Sequence, residues 1–156
     1  MQMTILAVGS RQPVWVDEAV ADYCRRLPPD LPLTLKEVKA ESRTTRKSAA
    51  VMMAAEAQRL RAAMPAHARV VALDEHGQRL TSEGLAQQLS DWREQADPVV
   101  FLIGGPDGLD ADLKREARLL LRLSDFTLPH GMARVLLAEQ LYRAWSIGSG
   151  HPYHRA

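Results

Sequence analysis

The chain has 156 residues, of which 46% are hydrophobic and 25% are charged, and its formal net charge is +1. This length and composition are typical of one globular domain with a buried core, and so small a net charge favours no class of partner. Cys24 is the single cysteine, which excludes an internal disulfide and any zinc site built on paired cysteines. The N-terminal apolar run is too short for a signal peptide or a membrane span. We therefore expect a cytoplasmic location and no membrane contact.

Short apolar runs alternate with helical patterns along the chain. The apolar runs predict five strands, which are Thr4–Val8, Leu33–Val38, Arg69–Asp74, Pro98–Ile103 and Ser124–Leu128. Helical spacing predicts helices over Val16–Leu27, from about Thr45 to Met64, behind Thr81 as an N-cap, over Leu109–Leu120 and over Gly131–Ile147. Strands separated by helices indicate βαβ units. We predict one α/β domain, residues 1–156, with a mostly parallel sheet flanked by helices.

The stretch "FLIGGPDGL", Phe101 to Leu109, ends a buried strand on an unusually bare backbone. Ligands of open α/β sheets bind beyond the carboxyl ends of strands, and glycine lets a main chain approach a ligand closely. The spacing matches neither the dinucleotide fingerprint nor the P-loop. A tight strand-to-helix turn without a ligand explains the spacing equally well.

Two more strand ends carry turn chemistry. "ALDEHG" places Leu73, Asp74 and Gly77 at the end of the third predicted strand, and "RLSDFTLPHG" surrounds the fifth. Because the carboxyl ends of parallel strands meet at one sheet edge, three such ends together favour a pocket. Taken alone, the end at Asp74 is better explained as a helix or turn cap and the end before Gly131 as a simple helix start.

The last residues, "HPYHR", gather two histidines, a tyrosine and an arginine at a terminus, where chains usually fray. A metal site is disfavoured because no third ligand lies nearby in sequence. The remaining readings are a disordered tail and a segment that contacts RNA through stacking and phosphate binding.

The motifs "LIGGPDGL", "SDFTLPHGMARVLLAEQLYRAWSI" and "HPYHR" closely resemble a SPOUT-superfamily group of small bacterial methyltransferases, and the resemblance runs end to end. It implies a trefoil knot within roughly residues 70–156 and S-adenosylmethionine as the cofactor. It also implies that three loops form the cofactor pocket. Their residues here are Leu73, Gly104, Gly105, Gly108, Leu123, Ser124, Asp125, Phe126, Thr127 and Leu128.

The resemblance further implies a reaction and partners. The reaction is methylation of N3 of a pseudouridine in 23S ribosomal RNA, on the assembled ribosome and without a metal. The expected assembly is a homodimer that uses the last helix, whose apolar residues are Val135, Leu136, Leu141, Ala144 and Trp145.

Removal of the N3 proton needs a base or a group that stabilises the developing anion. We assign catalysis to the tail: His154 as the base, because imidazole exchanges protons near neutral pH, Tyr153 to position it and Arg155 to stabilise the anion or bind phosphate. Arg134, Arg143 and His151 are the predicted substrate-binding residues. Two alternatives stay open, a SPOUT enzyme that acts on another RNA such as transfer RNA and a non-catalytic ribosome-associated module.

Overall fold

The computed structural model describes residues 1–43 and 46–155, and within them five strands form one parallel sheet. The strands are β1 (Met3–Val8), β2 (Leu33–Val38), β3 (Arg69–Arg79), β4 (Val99–Ile103) and β5 (Leu119–Arg122), and they lie in the order β2-β1-β4-β3-β5. The helices are α1 (Val14–Arg26), α2 (Ala49–Ala63), α3 (Ser82–Gln95), α4 (Ala111–Glu116) and α5 (His130–Ser149). A 3-10 turn, Pro152–His154, follows α5. The predicted α/β class is confirmed.

Local signals set several helix ends. α1 begins directly after Pro13 and stops before Leu27, whose extended backbone is the conformation that a following proline requires. The Thr81 hydroxyl accepts a hydrogen bond from the Gly84 amide, which confirms the predicted N-cap of α3. α5 ends at Gly150 in the left-handed conformation, a common way to stop a helix.

The sheet is covered on both faces. Met3, Ile5 and Phe101 face the layer that contains α1, α3 and α5, whereas Leu6 and Leu102 pack with α2 and α4 on the opposite face. Successive strand residues point to opposite faces, so a strand buried on both sides is apolar throughout. β4, in which all residues are buried, shows this pattern.

The predicted fifth strand and fourth helix are wrong in their positions. The fourth helix stops at Glu116 instead of Leu120, and the strand that follows is Leu119–Arg122 instead of Ser124–Leu128. Three consecutive leucines fit a helix or a buried strand equally well in sequence, and pairing with β3 selects the strand. Downstream, the Ser124 hydroxyl accepts from the Phe126 amide, so this segment is a turn.

β3 is longer than predicted because it continues through an irregularity between Leu73 and Gln78, both of which align with Leu121. A Cβ on Gly77 would lie 2.7 Å from the Leu120 carbonyl oxygen, so only glycine permits this close backbone approach. The irregularity turns Asp74 and the two residues after it toward the carboxyl edge of the sheet, where they line a cavity.

The predicted start of the second helix at Thr45 lies outside the described residues, and the described helix begins at Ala49 with Ser48 as its N-cap. Within residues 1–43 and 46–155, no helix has both the length and the apolar character needed to cross a membrane. The trefoil knot stays a prediction, with which the observed sheet is compatible.

Candidate active site at the carboxyl edge of the sheet

A cavity of about 700 Å³ opens at the carboxyl ends of β1, β3 and β4. Its volume lies within the range of small-molecule sites. A second cavity of about 170 Å³ adjoins it and shares Leu73, Gly104 and Leu128 with it. The site therefore forms where the sequence places three turns at one sheet edge.

The predicted cofactor residues, apart from Asp125, line these two cavities. Those around the larger cavity are Leu73, Gly104, Gly105, Gly108 and Leu128. Those that line only the smaller one are Leu123, Ser124, Phe126 and Thr127. Asp125 instead forms a hydrogen-bonded ion pair with Arg79, with an Nε–Oδ1 distance of 2.8 Å, on the exposed side of the loop. Asp125 therefore lies on the exposed side of the loop, and its predicted cofactor contact stays a prediction.

The glycine turn is closed by its own backbone. The Gly108 amide donates to the Gly105 carbonyl over 3.0 Å, and Gly108 has a φ of +84°. A Cβ on Gly104 would lie 2.5 Å from the carbonyl carbon of Gly108. Gly104 and Gly108 are thus required by the turn itself, because any side chain at either position would clash or strain the backbone.

A buried carboxylate braces this turn from outside the cavity. Glu56 is 2% exposed, and its Oε2 accepts from Arg43 Nη1 over 3.0 Å and from the Glu41 amide over 2.9 Å. Arg43 also pairs with Asp107 of the turn, with Nε and Oδ2 separated by 3.1 Å. Arg43 therefore links the segment after β2 to the glycine turn. Sequence reasoning missed this link, because its partners lie far apart along the chain.

The charged groups that line the larger cavity are mainly acidic. The cavity is lined by Asp74, Glu75 and Asp107, and Lys114 Nζ lies 3.8 Å from Asp74 Oδ1. Such a lining suits a ligand with a net positive charge.

At the start of α5, Arg134 and His130 form a second network. Arg134 is fully buried, and each of its guanidinium nitrogens donates a hydrogen bond. Nη1 donates to Glu37 Oε2 over 2.6 Å, and Nη2 donates to the Gly9 carbonyl over 3.1 Å. Nε donates to His130 Nε2 over 2.9 Å. With every guanidinium nitrogen engaged inside the protein, Arg134 cannot reach RNA phosphate. The predicted substrate contact of Arg134 is therefore wrong for this conformation, and its role is internal.

His130 connects that network to the glycine turn. Its Nδ1 lies 3.0 Å from the Gly104 carbonyl oxygen. Burial first, and then the positive charge of Arg134, lower the pKa of His130 from the ordinary histidine value. Sequence reasoning did not select His130 as a site residue, although a histidine and an arginine four residues apart on a helix are neighbours.

The C-terminal tail, residues His151–Arg155, is folded onto the far end of α5. Ser146 Oγ donates to the His151 carbonyl over 2.8 Å and lies 2.9 Å from His154 Nδ1. The Tyr153 ring packs edge-on against Tyr142, with centroids 4.6 Å apart. The reading of this segment as a disordered tail is therefore wrong for its described residues.

Tyr153 is held as a hydrogen-bond donor. Its hydroxyl donates to Glu139 Oε1 over 3.0 Å and lies 3.1 Å from the Tyr23 hydroxyl. Burial, reinforced by the hydrogen bonds with Tyr23 and Glu139, raises the pKa of Tyr153 well above its ordinary value. The phenol therefore stays protonated at neutral pH.

The two predicted arginines near the tail differ in their surroundings. Arg143 Nη2 pairs with Glu139 Oε1 over 2.7 Å, and its guanidinium lies over the Tyr153 ring at 5.1 Å. Arg155 is exposed. Arg155 is thus free to reach an external phosphate, whereas the Arg143 charge is already balanced.

The tail and the cavity of one chain lie at opposite ends of α5. The cavity contacts His130 and Ala133, whereas the tail contacts Tyr142 and Ser146. At a rise of 1.5 Å per residue, the helix separates Ala133 from Ser146 by roughly 20 Å. The structure does not bring the predicted catalytic and cofactor residues of one chain together. Among the described residues, no group of three or more histidine, cysteine or acidic side chains is placed to hold a metal.

Comparison with known proteins bears on the family. A family model described as "Predicted SPOUT methyltransferase" matches residues 1–154. Proteins named "Ribosomal RNA large subunit methyltransferase H" from Bordetella avium and Ralstonia pickettii are 58% and 52% identical to the chain, the first over 100% of both chains and the second over 99% of both. A crystal structure of a methylase family protein from Neisseria gonorrhoeae, 13% identical, has the same fold with a TM-score of 0.55 over 90% of this chain and 81% of that one. The chain belongs to the SPOUT methyltransferase family.

Proposed function

We propose that this protein transfers a methyl group from S-adenosylmethionine to N3 of a pseudouridine in 23S ribosomal RNA. The observation that carries the proposal is the cavity itself, since all three loops that the family resemblance assigns to the cofactor border it or its neighbour. The near-full-length relatives named as large-subunit ribosomal RNA methyltransferases support the choice of substrate.

The residues present fit this cofactor. The cavity volume of about 700 Å³ is adequate for a ligand of its size, and the acidic side chains Asp74, Glu75 and Asp107 complement its net positive charge. When bound, the cofactor supplies an electrophilic methyl group. The glycine turn and the loop of residues 123–128 then hold it against the sheet edge, which is the positioning that such a transfer needs.

The tail supplies the remaining chemistry in this proposal. His154 is the candidate acceptor of the N3 proton. Tyr153, which stays protonated, donates a hydrogen bond to Glu139 and so orients the side chains around it. Arg155 and His151 contact the RNA. Arg143 stays in the proposed substrate site, although its ion pair with Glu139 weakens its attraction for phosphate.

We further propose that the site is completed by a second copy of the chain. Four large apolar side chains, the apolar collar, are exposed at the end of the molecule that holds the cavities: Val14, Trp15, Phe126 and Met132. Gln12 and Phe126 line the cavities, and a Cβ on Gly131 would touch Val16, so α1 and α5 begin side by side there. In the proposed homodimer the two α5 helices run antiparallel across this surface, which covers the collar and brings the partner's tail, at the far end of its α5, toward the cavity.

The predicted dimer contact through the last helix stays a proposal. Leu141 and Ala144 are buried in the core of one chain, whereas Val135, Leu136 and Trp145 are half-buried. The apolar surface of α5 that is open to a partner is therefore Met132 at its beginning and the half-buried Val135, Leu136 and Trp145. Since the substrate is ribosomal, we propose that the dimer works in the cytoplasm.

Methylation of purified ribosomes with labelled S-adenosylmethionine tests the function. We expect label in 23S RNA at a single pseudouridine, located by mass spectrometry of nuclease fragments. Label in transfer RNA alone would establish a different SPOUT activity. Cofactor binding without transfer to any ribosomal particle would indicate a non-catalytic module.

Complementation tests the shared site. A chain that lacks residues 151–156 and a chain with Gly104→Ala are each expected to be inactive. Mixed after mild dissociation, they should recover part of the activity, because one subunit of the heterodimer supplies an intact cavity and the other an intact tail. If a mixture that is shown to contain heterodimers recovers no activity, the result contradicts the shared site.

A further inference from the structure

The geometry points to Arg134 and His130 as a positioning pair that fixes the peptide between Gly104 and Gly105 for cofactor binding. This inference rests on the proposed function, since it concerns the same cavity. Neither side chain needs to touch the methyl group or the RNA. Both act through the backbone that lines the cavity.

The hydrogen bond from Arg134 determines which ring nitrogen of His130 carries the proton. Arg134 Nε always carries a hydrogen, which it donates to His130 Nε2. His130 Nε2 must therefore be the unprotonated nitrogen, and the proton of the neutral ring lies on Nδ1. That N–H then donates to the Gly104 carbonyl, whose oxygen is 3.0 Å away. The arginine thus selects the tautomer that the glycine turn requires.

His130 also holds the plane of the peptide between Gly104 and Gly105. A peptide group is planar, so a fixed Gly104 carbonyl also fixes the direction of the Gly105 N–H. Gly104 and Gly105 both line the larger cavity. Glycine has the widest backbone freedom of any residue, and among the contacts described above His130 is the one that holds the Gly104 carbonyl.

Two neighbouring strands anchor the pair. Arg134 joins the end of β1, through the Gly9 carbonyl, to the end of β2, through Glu37. The groups that face His130 are Arg134 on its own helix, Glu37 on β2 and the Gly104 carbonyl after β4. A protonated ring would direct a second N–H at Arg134 Nε, so protonation and this arrangement exclude each other.

Substitution of His130 separates this role from a purely structural one. The side-chain amide of His130→Asn occupies the position of Nδ1 and donates to Gly104 at every pH, whereas His130→Leu donates nothing. We expect His130→Asn to bind S-adenosylmethionine within a few-fold of the unsubstituted protein and His130→Leu to bind at least tenfold more weakly. His67→Asn is the matched control, since His67 is exposed and precedes β3 at the opposite edge of the sheet.

Calorimetric titration with S-adenosylmethionine, from pH 7.5 down to the lowest pH at which the protein stays folded, provides the decisive readout. The unsubstituted protein and His67→Asn should lose affinity as the pH falls through the lowered pKa of His130, whereas His130→Asn should lose much less. Equal pH profiles for His130→Asn and the unsubstituted protein would overturn the inference, and so would unchanged affinity in a folded His130→Leu protein.

Nitrogen chemical shifts of the His130 ring test the tautomer without any cofactor. We expect a neutral ring protonated at Nδ1, and a mixture of tautomers in Arg134→Lys, in which Nε2 loses its donor. A ring protonated at Nε2 would overturn the inference even if the cofactor binds. Failure of the unsubstituted protein to bind S-adenosylmethionine, with the expected tautomer present, would instead refute the proposed function.

Discussion

At the scale of single residues, Gly104 and Gly148 make a matched pair. A Cβ on Gly104 would lie 2.5 Å from the backbone of Gly108, whereas a Cβ on Gly148 would meet nothing within 4 Å. We expect Gly104→Ala to lower the free energy of unfolding by about 1–3 kcal/mol and to weaken S-adenosylmethionine binding at least tenfold. Gly148→Ala, within α5, should be neutral or stabilising by up to ~1 kcal/mol. Denaturant unfolding and calorimetry measure both, and equal effects of the two substitutions would contradict the role of the turn.

His130 should also make stability depend on pH. Its pKa is lower in the folded protein than its ordinary value near 6.5, so on acidification the unfolded chain binds this proton first. The stabilisation is complete above pH ~6.5 and is lost as the pH falls through the folded value. Urea unfolding at pH 7.5 and at pH 5 should show a smaller pH-dependent loss for His130→Asn than for the unsubstituted protein. If both proteins lost the same stability between pH 7.5 and pH 5, His130 would have the same pKa in the folded and the unfolded state.

At the scale of elements, the tail combines a structural contact with the proposed chemistry. The Tyr153 hydroxyl donates to Glu139, so the Tyr23 hydroxyl must donate to Tyr153. Tyr153→Phe removes both bonds and should cost about 1 kcal/mol of stability, leave cofactor affinity unchanged and reduce methyl transfer at least tenfold. Tyr23→Phe removes only the bond between the tyrosines, so it is the control, with a cost in stability no larger than that of Tyr153→Phe and a much smaller effect on transfer. Single-turnover assays on ribosomes compare the two.

How far the sequence predicts the elements depends on whether local signals decide them. The N-cap at Thr81, the buried runs of β1 and β4 and the alternating pattern of β2 are local signals, and those elements lie where the patterns indicate. The leucines of β5 have no distinctive local signal, and only their pairing with β3 makes them a strand. The bond between Arg134 and Glu37 joins residues 97 positions apart. No spacing along the chain reveals such a contact, so the sequence alone suggests that Arg134 is a cation without an internal partner.

At the scale of the whole molecule, the apolar collar should control assembly. Trp15 is 52% exposed at the cavity end, and Val51 is equally exposed on α2, across the sheet. We expect light scattering to give about twice the chain mass of 17.3 kDa for the unsubstituted protein. Trp15→Glu should shift it to monomer with loss of methyl transfer, because a charge is costly at a buried contact, whereas Val51→Glu should remain dimeric and active. A dimeric, active Trp15→Glu protein would contradict this interface.

The strand order has a consequence for synthesis of the chain. β1 ends at Val8, and one of its two neighbours, β4, begins only at Val99. At translation rates of about 5–20 residues per second, β4 is synthesised several seconds or more after β1, and one edge of β1 stays unpaired during that time. Parallel pairings of this separation also close slowly. The nascent chain is therefore most prone to aggregate before β4 emerges, and a chaperone that binds extended apolar segments should act on β1 during that interval.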